Sequence, residues 1–384
     1  MTSSHNLILW EAPSAEPIAA RIAIAGDFLP AGKLDFPSQP SWREMARALT
    51  SHFDDVSASF LNLECPLETS GLCPRAPSGL GEIVTAPSVS LQYLKATRAF
   101  AVSIANNHAY DFGGPGVERT RSAIARIGMI PMGAGHTLQD APDICIWQGP
   151  GAIRVGFWAA AKATHDPATR KLRGVEPAAI ARAAGAIHAL KKQGAHFCVA
   201  LVHAGCLRTN RPAPEDSALL DSLARCGFDL VAASHSHRIS GAKHIEIPRG
   251  GPRFCFYGLG SIASGYIASP LEREGLIVVA GLCLRGDLVH LEARPVHIAE
   301  TGFGEVPSPE ISKRILDRFQ NLSAEIIDGS FEKLFYEDTS PGLLQLYVRD
   351  ARAAFRQSGI QGLARKASRL RIRHVRRLIR KVTG

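Results

Sequence analysis

From Arg21 onward, short apolar runs rich in β-branched residues alternate with longer stretches whose apolar positions recur every three to four residues. The runs "RIAIAG", "ASFLNLE", "FAVSIANNH", "RVGFWAA", "FCVALVHAG", "DLVAASHSH", "RFCFYGLG", "GLIVVAGLCL" and "LVHLEARPVHI" read as strands. Between them, "PSWREMARALTSHF", "GGPGVERTRSAIARIG", "EPAAIARAAGAIHALKKQG" and "APEDSALLDSLARCG" read as helices, and the last three close on a glycine suited to a helix C-cap. Strands alternating with helices predict an α/β fold whose central strands are covered on both faces. Residues 68–88, rich in Pro, Gly and Ser, predict a long loop of the kind that lines a site. After about residue 300 the strand pattern stops, so the pattern divides the chain into a domain over 1–300 and a helical extension over 301–384.

At 384 residues and 46% hydrophobic content, the chain can bury a sizeable core. Its first residues lack a basic stretch followed by a long apolar one. No apolar run approaches the roughly 18–20 residues of a spanning helix, so neither a secretion signal nor a membrane span is expected. The eight cysteines form no Cys-x-x-Cys pair, which argues against a thiolate zinc site or a disulfide framework and fits a reducing cytoplasm.

The net charge of +9 changes meaning once it is divided by segment. Residues 351–384 hold eleven Lys/Arg and no Asp/Glu, leaving 33 of the 44 basic side chains against all 35 acidic ones over 1–350. The basicity is local to the tail. There, in "GLARKASRLRIRHVRRLIRKVTG", apolar residues at spacings of three to four are interleaved with Arg365, Lys366, Arg369, Arg373, Arg376, Arg377, Arg380 and Lys381. An amphipathic basic helix of this kind suits an anionic membrane surface, a place packed on its own domain, or a polyanion. The near-neutral remainder disfavours nucleic acid as the main partner.

Side chains just past the carboxyl ends of strands in open α/β sheets converge on one crevice. Asp27 follows "RIAIAG"; Asn62 and Glu64 follow "SFL"; Asn106, Asn107 and His108 follow "FAVSIA"; His203 follows "FCVALV"; His235 and His237 follow "DLVAAS". Taken singly, Asp27 reads as a capping residue and His203 as a structural histidine. The "HSH" spacing changes this, because in an extended segment residues i and i+2 project to the same side and offer two imidazoles to one point. With the carboxylates and an Asn carbonyl at neighbouring strand ends, the donor set is mixed N and O, which suits Mn, Fe or Zn, as one ion or as two clamping a phosphoryl group.

The ordered blocks "GDF", "NLECPL", "ANNHAYDFG", "GAGHTLQDAP", "LVHAG", "FDLVAASHSH" and "FYGLGS", over roughly residues 20–300, resemble the CapA-type capsule-synthesis, or poly-γ-glutamate synthesis, family, a branch of the calcineurin-like metallophosphoesterases. The resemblance implies a two-sheet sandwich flanked by helices, here with a helical C-terminal extension. It implies Asp27, Glu64, Asn107, His203, His235 and His237 as metal ligands, with Glu64 at the bridging position. His108 would contact the phosphoryl oxygen or protonate the leaving group, and Asp111 would orient it. Asn62 and Asn106 are expected to bind substrate.

The departures are Leu29 where the superfamily has a histidine, "HAGCL" for "HWGxE", "ASHSH" for "GHHPH", and Ser261 for an asparagine. The expected activity is metal-dependent hydrolysis of a phosphate ester or anhydride in capsule or surface-polymer synthesis, acting on a phosphorylated small molecule or polymer precursor. The expected location is cytoplasmic, with the tail able to place the protein at the inner face of the membrane beside a polymer synthase. The alternative is a non-hydrolytic, membrane-peripheral assembly factor.

Overall fold

A computed structural model describes residues 6–13, 16–32, 47–75, 83–162, 164, 166–247 and 251–339. The amphipathic segment of the basic tail lies outside the described residues, as do 40–46 of the first expected helix and 76–82 of the expected loop.

Among the described residues the strands are, in chain order, β1 (Leu7–Glu11), β2 (Ala20–Gly32), β3 (Ala58–Leu63), β4 (Ala99–Ser103), β5 (Ile130–Met132), β6 (Ala134–His136), β7 (Ile144–Gln148), β8 (Arg154–Ala161) and β9 (Gly174–Val175). They continue as β10 (Phe197–His203), β11 (Leu230–Ser234), β12 (Ala242–Ile245), β13 (Arg253–Phe256), β14 (Ser261–Gly265), β15 (Glu274–Leu282), β16 (Leu288–Ile298) and β17 (Gly304–Glu305). The helices with both ends among the described residues are α1 (Ser90–Ala96), α2 (Gly113–Arg126), α3 (Ile180–Lys192), α4 (Pro214–Cys226) and α5 (Pro309–Asp328).

All nine predicted strands form, because each is a run of buried apolar residues long enough for a fully covered strand. Gly128, Gly194 and Gly227 follow α2, α3 and α4 with φ of 83°, 80° and 134°, the conformation that ends a helix cheaply only at glycine. Strands β1, β5, β7, β12 and β14 escape the sequence pattern. They are three to five residues long, and none but β14 is mostly buried, so their apolar periodicity is too weak to stand out.

One sheet runs in the order β1-β16-β15-β2-β3-β4-β5, with β14 also on β2 and β17 on β16; β2, β3, β4 and β5 are parallel. The second runs β12-β13-β11-β10-β8-β7, with β8, β10, β11 and β13 parallel. The two face each other through an aromatic core in which Phe60 of β3 and Phe157 of β8 have ring centroids 4.9 Å apart. Truncating either to alanine would cost roughly 3–5 kcal/mol. On the outer side of the second sheet, Trp158 stacks on Phe228 at 5.5 Å.

The chain divides into two compact units, Met1–Ile327 and Asp328–Gly384. Within the first, α5 buries Ile315, Phe319 and Leu322 in the main core, and Phe319 stacks on Phe256 of β13 at 6.3 Å. In the second, residues 331–339 are helical. No helix among the described residues is long and apolar enough to cross a membrane.

Candidate metal centre

Because β2, β3 and β4 are parallel, as are β10 and β11, the carboxyl ends of β3, β10 and β11 lie at the rim between the two sheets, where Glu64, His203, His235 and His237 meet Asp27. That aspartate lies within β2 rather than at its end, because pairing with β14 carries the strand on to Gly32. Asp27 sits where the β2–β3 register shifts, between Ile24 and Asp27, and its N–H donates to the Gly260 carbonyl at 3.0 Å. That approach requires glycine at position 26, since a Cβ there would lie 2.0 Å from the Gly260 oxygen.

The side chains form two triads that share one residue. Glu64, His203 and His235 bring one ligand atom each to within 4.8 Å of one another, and so do Asp27, Glu64 and His237. His203 Nε2 is 3.2 Å from Glu64 Oε1 and 2.6 Å from Asn107 Oδ1. His237 Nδ1 is 3.4 Å from Asp27 Oδ2 and 3.7 Å from Glu64 Oε2. Asp27 Oδ2 also accepts the His235 N–H at 2.9 Å.

The two histidines of "HSH" converge by a different route from the one their spacing suggests. They lie past the end of β11 in a bend, with φ of 115° at His235 and 57° at His237. Positive φ at non-glycine residues is strained, and such strain persists where the surroundings enforce it. The bend is held by Asp27 on the His235 N–H and by the Arg208 N–H on the Ser236 carbonyl at 2.9 Å.

The electrostatics separate the two. Burial pushes His235 down to about 4, assisted by the neighbouring His203, so it is neutral at pH 7. Burial acts downward on His237 as well, but the Glu64 and Asp27 carboxylates prevail and raise it to about 9. Burial would raise the Glu64 carboxyl, yet the charges of His237 and His203 hold it well below its usual range.

Whether a divalent cation suits this set is tested by its unsatisfied atoms. Both Glu64 oxygens and His235 Nδ1 are buried with no hydrogen-bond partner. A buried carboxylate left this way is costly unless something else takes up its lone pairs. The mixed carboxylate and imidazole set fits a divalent transition metal, so the residues and the group match.

His108 and Asp111 stand beside this cluster in the turn after β4. His108 Nδ1 is 2.9 Å from Asp111 Oδ2, which also accepts the Val84 N–H at 2.9 Å. Both side chains keep about a seventh of their surface exposed, at 15% and 14%. Asn62 and Asn106, expected to face substrate, are instead fully buried, with their amides bonded to Asp27, to the Leu63 carbonyl and to the His108 N–H. Ser234 and Ser261 appeared in the sequence only as departures from the resemblance. They border the site, Ser234 Oγ at 3.4 Å from His203 Nδ1 and Ser261 Oγ at 3.2 Å from His237 Nδ1. The signal that could have found Ser261 is its place at the end of "YGLGS".

The family described as bacterial capsule synthesis protein PGA_cap matches residues 21–266. A capsule biosynthesis protein CapA of Bacillus anthracis is 25% identical over 186 residues, covering 46% of this chain and 43% of that one. A PGA biosynthesis protein CapA of Bacillus subtilis is 26% identical over 248 residues, covering 62% and 63%. A probable polyglutamine synthesis accessory protein of Mycobacterium tuberculosis is 30% identical over 186 residues, covering 45% and 47%. The chain thus spans about half the length of the curated relatives it matches. Among solved structures, a 5′-nucleotidase precursor from Thermus thermophilus overlaps at 13% identity and TM-score 0.46, covering 80% of this chain and 59% of that one. A calcineurin-like phosphoesterase from Bacillus subtilis overlaps at 12% identity and TM-score 0.45, covering 81% and 100%.

Proposed function

The chain belongs to the bacterial capsule synthesis protein family PGA_cap, and we propose that it is a metal-dependent phosphoesterase, hydrolysing a phosphate ester or anhydride in capsule or surface-polymer biosynthesis. The observation that carries this reading is Glu64, shared by both triads with each carboxylate oxygen buried and free of hydrogen bonds. Asp27, Glu64 and His237 would hold one ion and Glu64, His203 and His235, with the Asn107 carbonyl oxygen, a second. When bound, divalent ions would supply an activated water and neutralise phosphoryl oxygens.

The chain's own contribution is orientation and proton handling. Asp111 accepts from His108 Nδ1, fixing the ring and leaving Nε2 as the atom that can hold a proton for a leaving oxygen. A purely structural metal site has no use for such an imidazole, and this favours hydrolysis over the non-hydrolytic role. The substrate class is a phosphorylated small molecule or polymer precursor. The Arg/Lys residues between Arg365 and Lys381 would contact an anionic membrane surface or a polymer synthase at its inner face. Co-sedimentation with anionic liposomes should fall at least about fivefold without residues 351–384, and more so at low salt.

The test of the activity is elemental analysis of protein purified without chelator, with Mn²⁺-dependent release from an aryl phosphate and a phosphodiester. Bound metal with turnover that falls about 100-fold or more in His108→Ala, at unchanged metal content, is expected. Metal without turnover on either substrate would overturn hydrolysis in favour of a non-hydrolytic role, and the absence of metal would overturn the site assignment.

A further inference from the structure

Asn62 and Asn106 connect the two halves of the site in a way that the proposed reaction does not require of a substrate contact. Asn106 Oδ1 accepts the His108 N–H at 3.1 Å, and its Nδ2 donates to the Leu63 carbonyl at 2.8 Å. Both partners are main-chain groups whose donor or acceptor role cannot change, so the orientation of the Asn106 amide is settled by its neighbours. Its Nδ2 also donates to Asn62 Oδ1 at 3.2 Å, which in turn sets the Asn62 amide with Nδ2 toward Asp27 Oδ1 at 2.7 Å and His203 Nδ1 at 3.3 Å. No amide in this chain can flip without opposing two donors or two acceptors.

Both residues are 1% exposed. Asn62 lies on β3 opposite Asp27 of β2 on one side and Ser103 of β4 on the other, at the point where the three strands deliver their side chains to the site. Buried polar chains that are fully bonded are rigid, because any break leaves a donor or acceptor unpaired in a low dielectric.

Building on the metallophosphoesterase reading, we propose that Asn62 and Asn106 are positioning residues, a buried amide chain that sets the His108 turn relative to Asp27 through the bonds Asp27–Asn62–Asn106–His108. A displacement of Asp27 is carried to the His108 main chain without passing through solvent. The His108 imidazole and the two triads are thereby held at one separation, the quantity on which proton transfer to a leaving group depends most steeply.

The test is amide hydrogen exchange in the full-length protein labelled with ¹⁵N, comparing the His108 N–H with that of Val202, in the centre of the second sheet, as a measure of global stability. In metal-free protein, Asn62→Ala should accelerate exchange at His108 relative to Val202 by about fivefold or more, although Asn62 does not touch His108. Asn106→Ala, which removes the acceptor itself, should accelerate it by about tenfold or more. Should Asn62→Ala fail to fold, Asn62→Ser removes the same link with less loss of polarity and carries the same expectation. A His108 to Val202 ratio within about twofold of wild type in the Asn62 variant would overturn the coupling.

Zinc alone, added to wild type, should slow exchange at His108, and in Asn106→Ala it should bind with unchanged stoichiometry but leave His108 exchange unaltered. Equal slowing in that variant would also overturn the proposal. If wild type binds no zinc, the metal reading fails while the metal-free comparison still decides the coupling.

Discussion

Among the described residues, Glu64 and Glu176 are both buried glutamates set beside histidine near sheet ends, and only one of the pair is finished. Glu176, just beyond β9, is fully enclosed and fully bonded: Arg182 donates to both oxygens at 2.6 and 2.8 Å, and His136 Nε2 lies 2.5 Å from Oε2. Glu64 is equally enclosed, but its neighbours His203, His235 and His237 stand 3.2 to 3.8 Å away and make no hydrogen bond to it. Arg182 brings a planar fork that matches a carboxylate and cannot lose its charge. Imidazoles bring lone pairs that a cation can use. The first arrangement closes on itself as structure; the second is complete only with something between its members.

The sharpest way to break the comparison is to neutralise each glutamate in turn. Glu64→Gln should abolish metal retention and lower any Mn²⁺-dependent turnover by about 1,000-fold or more, since it removes a ligand from both triads at once. It should also remove metal-induced stabilisation, which for the wild type would be about 2.7 kcal/mol at a metal concentration of 100 Kd. Metal content unchanged in this variant would remove the distinction between the two sites. Glu176→Gln should do the opposite. It leaves metal content intact and costs about 3–5 kcal/mol by denaturant unfolding, because the Arg182 guanidinium loses its buried partner.

A smaller effect sharpens the contrast through pH. His237, raised to about 9, carries a proton at pH 7 that a bound cation must displace, so metal uptake should release about one proton there. Its affinity should rise with pH by up to about tenfold per unit until pH 9 and then level off. Calorimetry in two buffers of different ionisation enthalpy measures the proton count; a count near zero would mean that His237 is not a ligand.

The smallest effect belongs to Glu176. Burial would raise its carboxyl, but the bond from Arg182 and the His136 neighbour hold it below the usual range. Its stabilising contribution is therefore present above about pH 4.5 and lost as pH falls below it. In Glu176→Gln that acid limb of the stability curve should flatten.

How much of this was legible beforehand differs between backbone and site. The nine main strands and three helix-ending glycines could be read because burial on both faces of a sheet, and a left-handed helix end, leave direct marks on residue type. The short strands β5, β7 and β12 could not, since three to five residues with few of them buried leave too little apolar periodicity to read. Glu64, His203, His235 and His237 were legible as polar ends on apolar strands, whereas Asp27 proves to lie within β2. The reason for the convergence of His235 and His237 was not, for the bend with two positive φ values is imposed by Asp27 and by the loop carrying Arg208. Asn62 and Asn106 mark the same limit. Their type and place suggested contact with substrate, whereas the structure occupies every one of their amide groups internally.

By itself, then, the sequence determined the alternation of strands and helices, the strand ends that carry imidazoles and carboxylates, and the confinement of the net positive charge to the tail. These are properties of local pattern, and local pattern is what residue type encodes. Which carboxylate is satisfied and which is left open was decided only in three dimensions. That Arg182, six positions from Glu176, bonds its carboxylate while no arginine among the described residues bonds Glu64 is a fact about packing partners, and partners are chosen by the fold as a whole.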